Sequence, residues 1–147
     1  MKRKLVTLVI MFFAFTVLSQ AQEKYQLLLS GISMQQRQAE IAVKGEHERT
    51  LTNGASEQIL LYESADGLKV KVDFTPVFKG RRMKLKRTIT VETPEGKSVH
   101  SRQKKAVQLL KVSVPGSMKG RDAVELLYDK KRRQSIFVKY DYKLNYN

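Results

Sequence analysis

The stretch that decides the fold is residues 67–91, which read GLKVKVDFTPVFKGRRMKLKRTITV. Apolar side chains occupy alternate positions from Leu68 to Phe74 and again, with one interruption, from Met83 to Val91. A period of two is typical of a β-strand that has one face in a core and the other toward water. The segment therefore predicts two half-buried antiparallel strands.

The flanking turns extend these two strands into a meander. Asp66-Gly67 lies between two apolar runs and predicts a two-residue type I′ turn, in which both positions need a positive φ. This turn places Ile59 opposite Phe74. Pro94-Glu95-Gly96 suits another tight turn. Together the turns predict a four-stranded antiparallel meander over residues 58–101.

A two-residue turn at Lys79-Gly80 sets the predicted register in the centre of the meander. It pairs Phe74 with Leu85 and sets no like charges directly opposite each other, as a stable pairing requires. One residue does not fit, because Arg87 falls among the apolar positions, opposite Val72.

The remaining segments predict further short strands. Strands are expected over 25–33 (with a bulge at 30–31), 39–44, 123–128 and 134–146. Loops are expected over 46–48, 52–55 and 116–121. Residues 102–111 fit either a helix or a bulged strand. Eight or nine short strands with turns at about ten-residue spacing are typical of a sandwich or a small barrel. We therefore predict an all-β fold, a single antiparallel β-sandwich-like domain.

The N-terminus predicts export. Lys2-Arg3-Lys4 gives a positive start, residues 5–18 are apolar apart from two threonines, and Ser19-Gln20-Ala21 provides small residues before a cleavage site. This is the pattern of a secretory signal peptide. The apolar run of about 14 residues is shorter than the roughly 20 that a spanning helix needs. We expect a signal peptide at 1–21, a β-rich domain at 22–147, and no transmembrane helix after cleavage.

The composition narrows the location and the partners. The chain has no cysteine, which excludes disulfides, thiolate zinc sites and a lipoprotein anchor, and favours a Gram-negative periplasm or secretion. Three of the 28 basic residues and none of the 14 acidic ones precede residue 22, so residues 22–147 carry +11. Such a charge favours contact with anionic surfaces.

Basic residues cluster on the polar phase of the predicted strands and at two predicted turns. The candidate anion-binding patch comprises Lys69, Lys71, Arg81, Arg82, Lys84, Lys86, Lys130, Lys131, Arg132 and Arg133. The expected partner is an anionic envelope surface (lipopolysaccharide, acidic lipid or polysaccharide) or another protein. Nucleic acid is disfavoured as a partner, because most aromatic residues lie at apolar-phase positions and the chain has no tryptophan to stack on bases.

No catalytic constellation is visible. His47 lies between two glutamates, but these would point away from it in a strand, and no second histidine stands at ligand spacing. Asp122 and Glu125 would face opposite sides of a strand, so they do not form a paired acid and base. We therefore expect no enzyme, no cofactor and no metal site, and interpret the chain as an exported basic accessory protein.

The C-terminal segment offers an alternative. Tyr140, Tyr142, Leu144 and Tyr146 form an alternating stripe, and residues 136–147 thereby resemble the terminal strand of outer-membrane β-barrels. Residues 67–91 are similar to the amphipathic hairpins of secretin-type channels. These resemblances imply an outer-membrane location, as a small barrel or as a subunit of an envelope channel or secretion assembly.

Overall fold

In the computed structural model, which describes residues 24–43, 45–79, 82–109 and 116–146, nine β-strands form two antiparallel sheets. The strands are β1 Lys24–Gln36, β2 Ala39–Ile41, β3 His47–Thr52, β4 Glu57–Glu63, β5 Lys69–Lys79, β6 Arg82–Glu92, β7 Ser98–Leu109, β8 Gly116–Asp129 and β9 Gln134–Tyr146. These residues contain no helix, and hence none able to cross a membrane. The predicted signal peptide lies outside them.

Sheet A is built around β1. Its strand order is β2-β1-β9-β8, and β3 pairs with the N-terminal half of β1 beside β2. The strand bends at a register shift between Ser30 and Ser33, where Gly31 has a φ of 59°. A Cβ at this glycine would lie 2.7 Å from Asp141 Oδ2. The predicted bulge is confirmed, and the positive φ favours glycine there, because other residues rarely adopt it.

Sheet B has the strand order β4-β5-β6-β7, which confirms the predicted meander. The two sheets are open and do not join into a closed barrel. The all-β, β-sandwich-like class is therefore confirmed.

The two sheets bury their apolar faces against each other. Phe74 of β5 meets Tyr140 and Tyr142 of β9 edge to face, with ring centroids 5.9 and 6.3 Å apart. Such edge contacts stabilise aromatic pairs beyond their buried area. Tyr140, Tyr142 and Leu144 of β9 are thus core rather than surface, together with Leu27, Leu29, Val70, Val72, Leu85, Ile89 and Val138.

The first hairpin differs from its prediction. Its loop has three residues rather than two: Ser64 donates its backbone N–H to the Leu68 carbonyl at 2.8 Å, and Gly67, with a φ of 97°, ends the loop. The Ser64 hydroxyl accepts the Leu68 N–H at 2.9 Å, which favours the wider loop. A bulge between Leu60 and Tyr62 then sets Ile59 opposite Val72, so the predicted pairing with Phe74 is wrong.

The central hairpin is shifted by two residues from the predicted register. Phe74 faces Arg87 rather than Leu85, and Val72 faces Ile89. A shift of two leaves every side chain on its predicted face, because the side-chain period of a strand is two. Residues 80–81, which connect β5 to β6, lie outside the described residues.

Three further segments are resolved as strands. Residues 102–109 continue β7, so the strand rather than the helix is correct. The loop predicted over 116–121 is wrong: this stretch pairs with β9 from Gly116 onward and turns Met118 inward. The loop predicted around His47 is also wrong, because His47 begins β3 and pairs with Leu29. Residues 110–115 lie outside the described part of the chain.

Candidate functional site

The outer face of sheet B carries most of the candidate cations. The even-numbered residues of β6 point outward, since the odd-numbered residues from Met83 to Val91 are buried. Their partners on β5 and β7 share that face: Lys71 lies opposite Thr90, and Lys104 lies opposite Lys86. Strand periodicity alone therefore aligns lysines of three strands on one surface.

One half of this face is neutralised. Lys71 Nζ lies 3.0 Å from Glu92 Oε1, and its side chain is only 20% exposed. Lys69 Nζ lies 3.9 Å from Glu63 Oε1. These two lysines keep their charge within local ion pairs, so they offer little to an external anion.

The other half of the face is mostly cationic, and its one acidic residue on β5 is the half-buried Asp73, which lies in the same cross-strand row as Arg102. It carries six exposed residues, which we call the cationic cluster: Lys79, Arg82, Lys84, Lys86, Arg102 and Lys104. Lys79 faces Arg82, and Lys86 faces Lys104, directly across the strands. No ion pair is formed by any of the six within the part of the chain that the structure describes. Like charges directly opposite each other are destabilising, and a bound anion would relieve that repulsion.

The structure does not bring the ten predicted patch residues together. Arg82, Lys84 and Lys86 belong to the cationic cluster, and Lys69 and Lys71 lie on the same face but are paired. Arg81 lies outside the described residues. Lys130, Lys131, Arg132 and Arg133 form the turn between β8 and β9, at the opposite end of the sandwich. The two ends of β5 alone are about 33 Å apart at 3.3 Å per residue.

The predicted patch omitted three members of the cluster, Lys79, Arg102 and Lys104. Residues 102–104 could be aligned with β6 only once β7 was known to be a strand in a given register. Had residues 98–109 been predicted as a strand, Arg102 and Lys104 would have been placed on the outer face. They lie two and four residues after His100, which faces Thr90 on that face.

Arg87, although basic, does not belong to this face. It is 3% exposed and lies between the sheets, where its Nε and Nη2 donate to the Asp122 carboxylate at 2.6 and 3.0 Å. Its Nη1 donates to the Leu85 carbonyl at 2.9 Å, and its Cζ lies 4.8 Å from the centroid of the Tyr142 ring. Every guanidinium nitrogen is thus satisfied, as a buried charge requires.

Asp122 completes a buried polar network. It is 2% exposed, and its Oδ2 also accepts the Tyr140 hydroxyl at 2.6 Å. Burial, and then the hydrogen bond to the charged Asp122, raise the pKa of Tyr140 far above its usual range. Burial alone would lower the pKa of Arg87, but the hydrogen bond and the charge of Asp122 outweigh it and leave that pKa raised. The network joins β6 to β8 and β9, and it is sealed from solvent, so its role is structural.

Within the described residues, no group of three His, Asp or Glu side chains is placed to hold a metal ion. His100 Nδ1 lies 3.0 Å from the Thr90 hydroxyl on the outer face of sheet B, and its side chain is exposed.

The arrangement that remains is a strand-built cationic surface beside a neutralised one. The chain matches no protein-family model and no curated protein sequence.

Proposed function

We propose that this chain is an exported, non-catalytic binding protein whose cationic cluster contacts an anionic component of the cell envelope. The observation that supports the proposal is the half of sheet B on which six exposed cations of three adjacent strands outnumber the half-buried Asp73. The predicted signal peptide at 1–21 and the absence of cysteine support export without a lipid anchor.

The shape of the cluster favours an extended anion. Lys84 and Lys86 lie two residues apart on β6, about 6.6 Å along the strand, and Lys104 lies across from Lys86. Long lysine and arginine side chains on adjacent strands can reach several charges of a surface at once. Phosphate groups of lipopolysaccharide, acidic lipids or acidic polysaccharide fit this geometry.

The outer face of sheet A differs, which makes the proposal specific to one surface. There Arg121 Nε lies 2.6 Å from Asp141 Oδ1, and Ser135 donates to Glu125, so acidic groups are interspersed. Lys119 and Lys143 nevertheless face each other across β8 and β9, as Lys86 and Lys104 do across β6 and β7. This second pair provides a control with the same charge and the same strand geometry.

The test is binding of residues 22–147 to vesicles of phosphatidylcholine with or without lipopolysaccharide, measured by co-sedimentation at rising salt. We expect salt-sensitive retention on the lipopolysaccharide vesicles only, because exposed charges are screened within about 10 Å at 0.1 M salt. The double variant Lys86→Glu/Lys104→Glu should lose most of this retention, and Lys119→Glu/Lys143→Glu should retain it. Equal loss in both variants would show that only net charge matters, and absence of binding by the unmodified protein would refute the proposal.

A further inference from the structure

A cleft of about 760 Å³ opens at the end of the sandwich that lies away from the cationic cluster. Three turns surround it: the loop that Ser64 and Leu68 close, the loop that Thr93 and Lys97 close, and the basic turn between β8 and β9. The cleft therefore lies where hairpins of sheet B meet a hairpin of sheet A.

The cleft has an apolar wall that water reaches. Leu68 is buried, Val99 and Tyr128 pack against the core, and Leu127 is 45% exposed. The Tyr128 hydroxyl accepts a hydrogen bond from the Gln36 side chain, and burial raises the pKa of Tyr128. An apolar side chain inserted here would contact the edge of the core and cover Leu127, which gains free energy in proportion to the apolar area removed from water.

Two unpaired strand edges flank the cleft. β7 and β8 are the last strands of their sheets, and within the described residues neither has a partner on its outer side. Val99 belongs to β7, and Leu127 belongs to β8. An exposed strand edge presents backbone donors and acceptors that an extended polypeptide can use, whereas an acyl chain cannot.

The charges of the rim are unequal. Lys130, Lys131 and Arg132 are exposed on one wall. The Asp129 carboxylate accepts the Arg132 backbone N–H at 3.1 Å, which holds it within the turn. On the other wall, Asp66 accepts a hydrogen bond from Ser64, and the exposed Glu95 and Lys97 add one charge of each sign. The wall built by the turn between β8 and β9 thus faces the cleft with three cations, which favours acidic side chains on that side of a ligand.

We infer that this cleft binds an extended, acidic polypeptide segment that inserts one large apolar side chain between the edges of β7 and β8. The free strand edges can hydrogen-bond to the backbone of a polypeptide. The wall of Leu68, Val99 and Leu127 would contact its apolar side chain, and the basic turn would attract acidic residues next to that side chain. This site is separate from the cationic cluster, so the protein could hold a protein partner at one end and an anionic surface on its sheet.

The probes are three fluorescein-labelled octapeptides measured by fluorescence anisotropy with residues 22–147. The first has four acidic residues around a central phenylalanine, the second has alanine in the centre, and the third has lysines in place of the acids. We expect saturable binding of the first, and about tenfold or greater weakening for each of the others, since tenfold corresponds to about 1.4 kcal/mol of lost contact or attraction.

Variants locate the site. Leu127→Glu adds a charge at an exposed side chain and should weaken binding of the first peptide about tenfold or more, as should Lys131→Glu/Arg132→Glu. Lys86→Glu/Lys104→Glu, at the cationic cluster, should leave it unchanged, so this inference and the envelope proposal fail separately.

Four outcomes would overturn the inference. The first is equal binding of the phenylalanine and alanine peptides, and the second is binding of the first peptide that does not saturate. The third is displacement of the first peptide by dodecyl phosphate, together with unchanged binding in Leu127→Glu. The fourth is self-association of the chain that Leu127→Glu abolishes. The third would indicate a lipid ligand elsewhere, and the fourth would assign the cleft to a second copy of the chain.

Discussion

Removing the carboxylate of Asp122 tests the most unusual feature of the core. In Asp122→Ala, the guanidinium of Arg87, which is buried in the unmodified protein, loses both hydrogen bonds to that carboxylate, and the Tyr140 hydroxyl loses its acceptor. Breaking one side of a buried ion pair leaves an uncompensated charge and costs about 3–5 kcal/mol. This is a large part of the 5–15 kcal/mol that is typical of a domain.

The double variant Arg87→Met/Asp122→Leu should be far less affected. It removes both charges and fills the space with apolar side chains of similar size, which in buried ion pairs is often neutral or stabilising. We therefore expect the double variant to lie within about 1–2 kcal/mol of the unmodified protein, and each single variant to lie well below it.

The assay is urea unfolding followed by circular dichroism and tyrosine fluorescence, since the chain has six tyrosines and no tryptophan. Asp122→Asn, which keeps the shape and one acceptor oxygen, serves as a milder variant in case the alanine variant does not fold. The exposed pair of Arg121 and Asp141 provides the control, because Arg121→Met removes a similar contact in water and should leave the unfolding midpoint unchanged. A double variant as unstable as the sum of the two single variants would refute the reasoning.

Three further predictions concern packing, pH and processing. Gly120→Ala should destabilise the fold by about 1–3 kcal/mol, because the new Cβ would lie 2.8 Å from Cε1 of Tyr142 and closer still to its hydroxyl. Gly45→Ala should leave stability unchanged, because no atom lies within 4 Å of its new Cβ. The midpoints of urea unfolding measure both variants, and equal midpoints would contradict the packing at Gly120. Burial raises the pKa of Tyr140, so the folded state holds the hydroxyl proton more tightly than the unfolded state does. The free energy of unfolding should therefore be level below about pH 9. Above about pH 10 it should fall by up to about 1.4 kcal/mol per pH unit. Tyr140→Phe should make that fall shallower in urea unfolding at stepped pH, and an unchanged slope would contradict the assignment. The mature protein purified from its natural host should begin at Gln22 on N-terminal sequencing, and an intact Met1 would contradict export.

Strand positions were predictable from the sequence because one face of each sheet is buried. The alternation from Leu68 to Phe74 and from Ile136 to Leu144 identifies β5 and β9 and their inward faces. The register was not predictable to the same degree. It depends on the three-residue loop at Ser64–Leu68 and the bulge after Leu60, which local hydrogen bonds determine and which leave no alternation signal.

The buried network had a signal that periodicity reasoning did not use. Arg87 falls in the inward phase of β6, and Asp122 falls between Met118 and Leu126 in the inward phase of β8. Two opposite charges at apolar positions are expected to pair, since neither can be buried alone. What concealed Asp122 was the prediction of a loop over 116–121, which left its strand phase undefined.

For the candidate site, the sequence predicted the residue types but not which of the residues lie together. The sequence indicated basic residues on the outward phase of β5 and β6, but separating paired from unpaired lysines needed the positions of Glu63 and Glu92 relative to Lys69 and Lys71. Tertiary placement likewise separated the basic turn at 130–133 from the strand face, because the two lie at opposite ends of the sandwich.

Lysine footprinting on anionic vesicles addresses the functional claim at the residue level. Residues 22–147 are acetylated with and without lipopolysaccharide vesicles, and the rates are read by mass spectrometry at Lys84, Lys86 and Lys104 and at Lys119 and Lys143. We expect slower acetylation of Lys84, Lys86 and Lys104 on vesicles and unchanged rates at Lys119 and Lys143. Equal protection on both sheets, or protection of sheet A alone, would contradict this expectation.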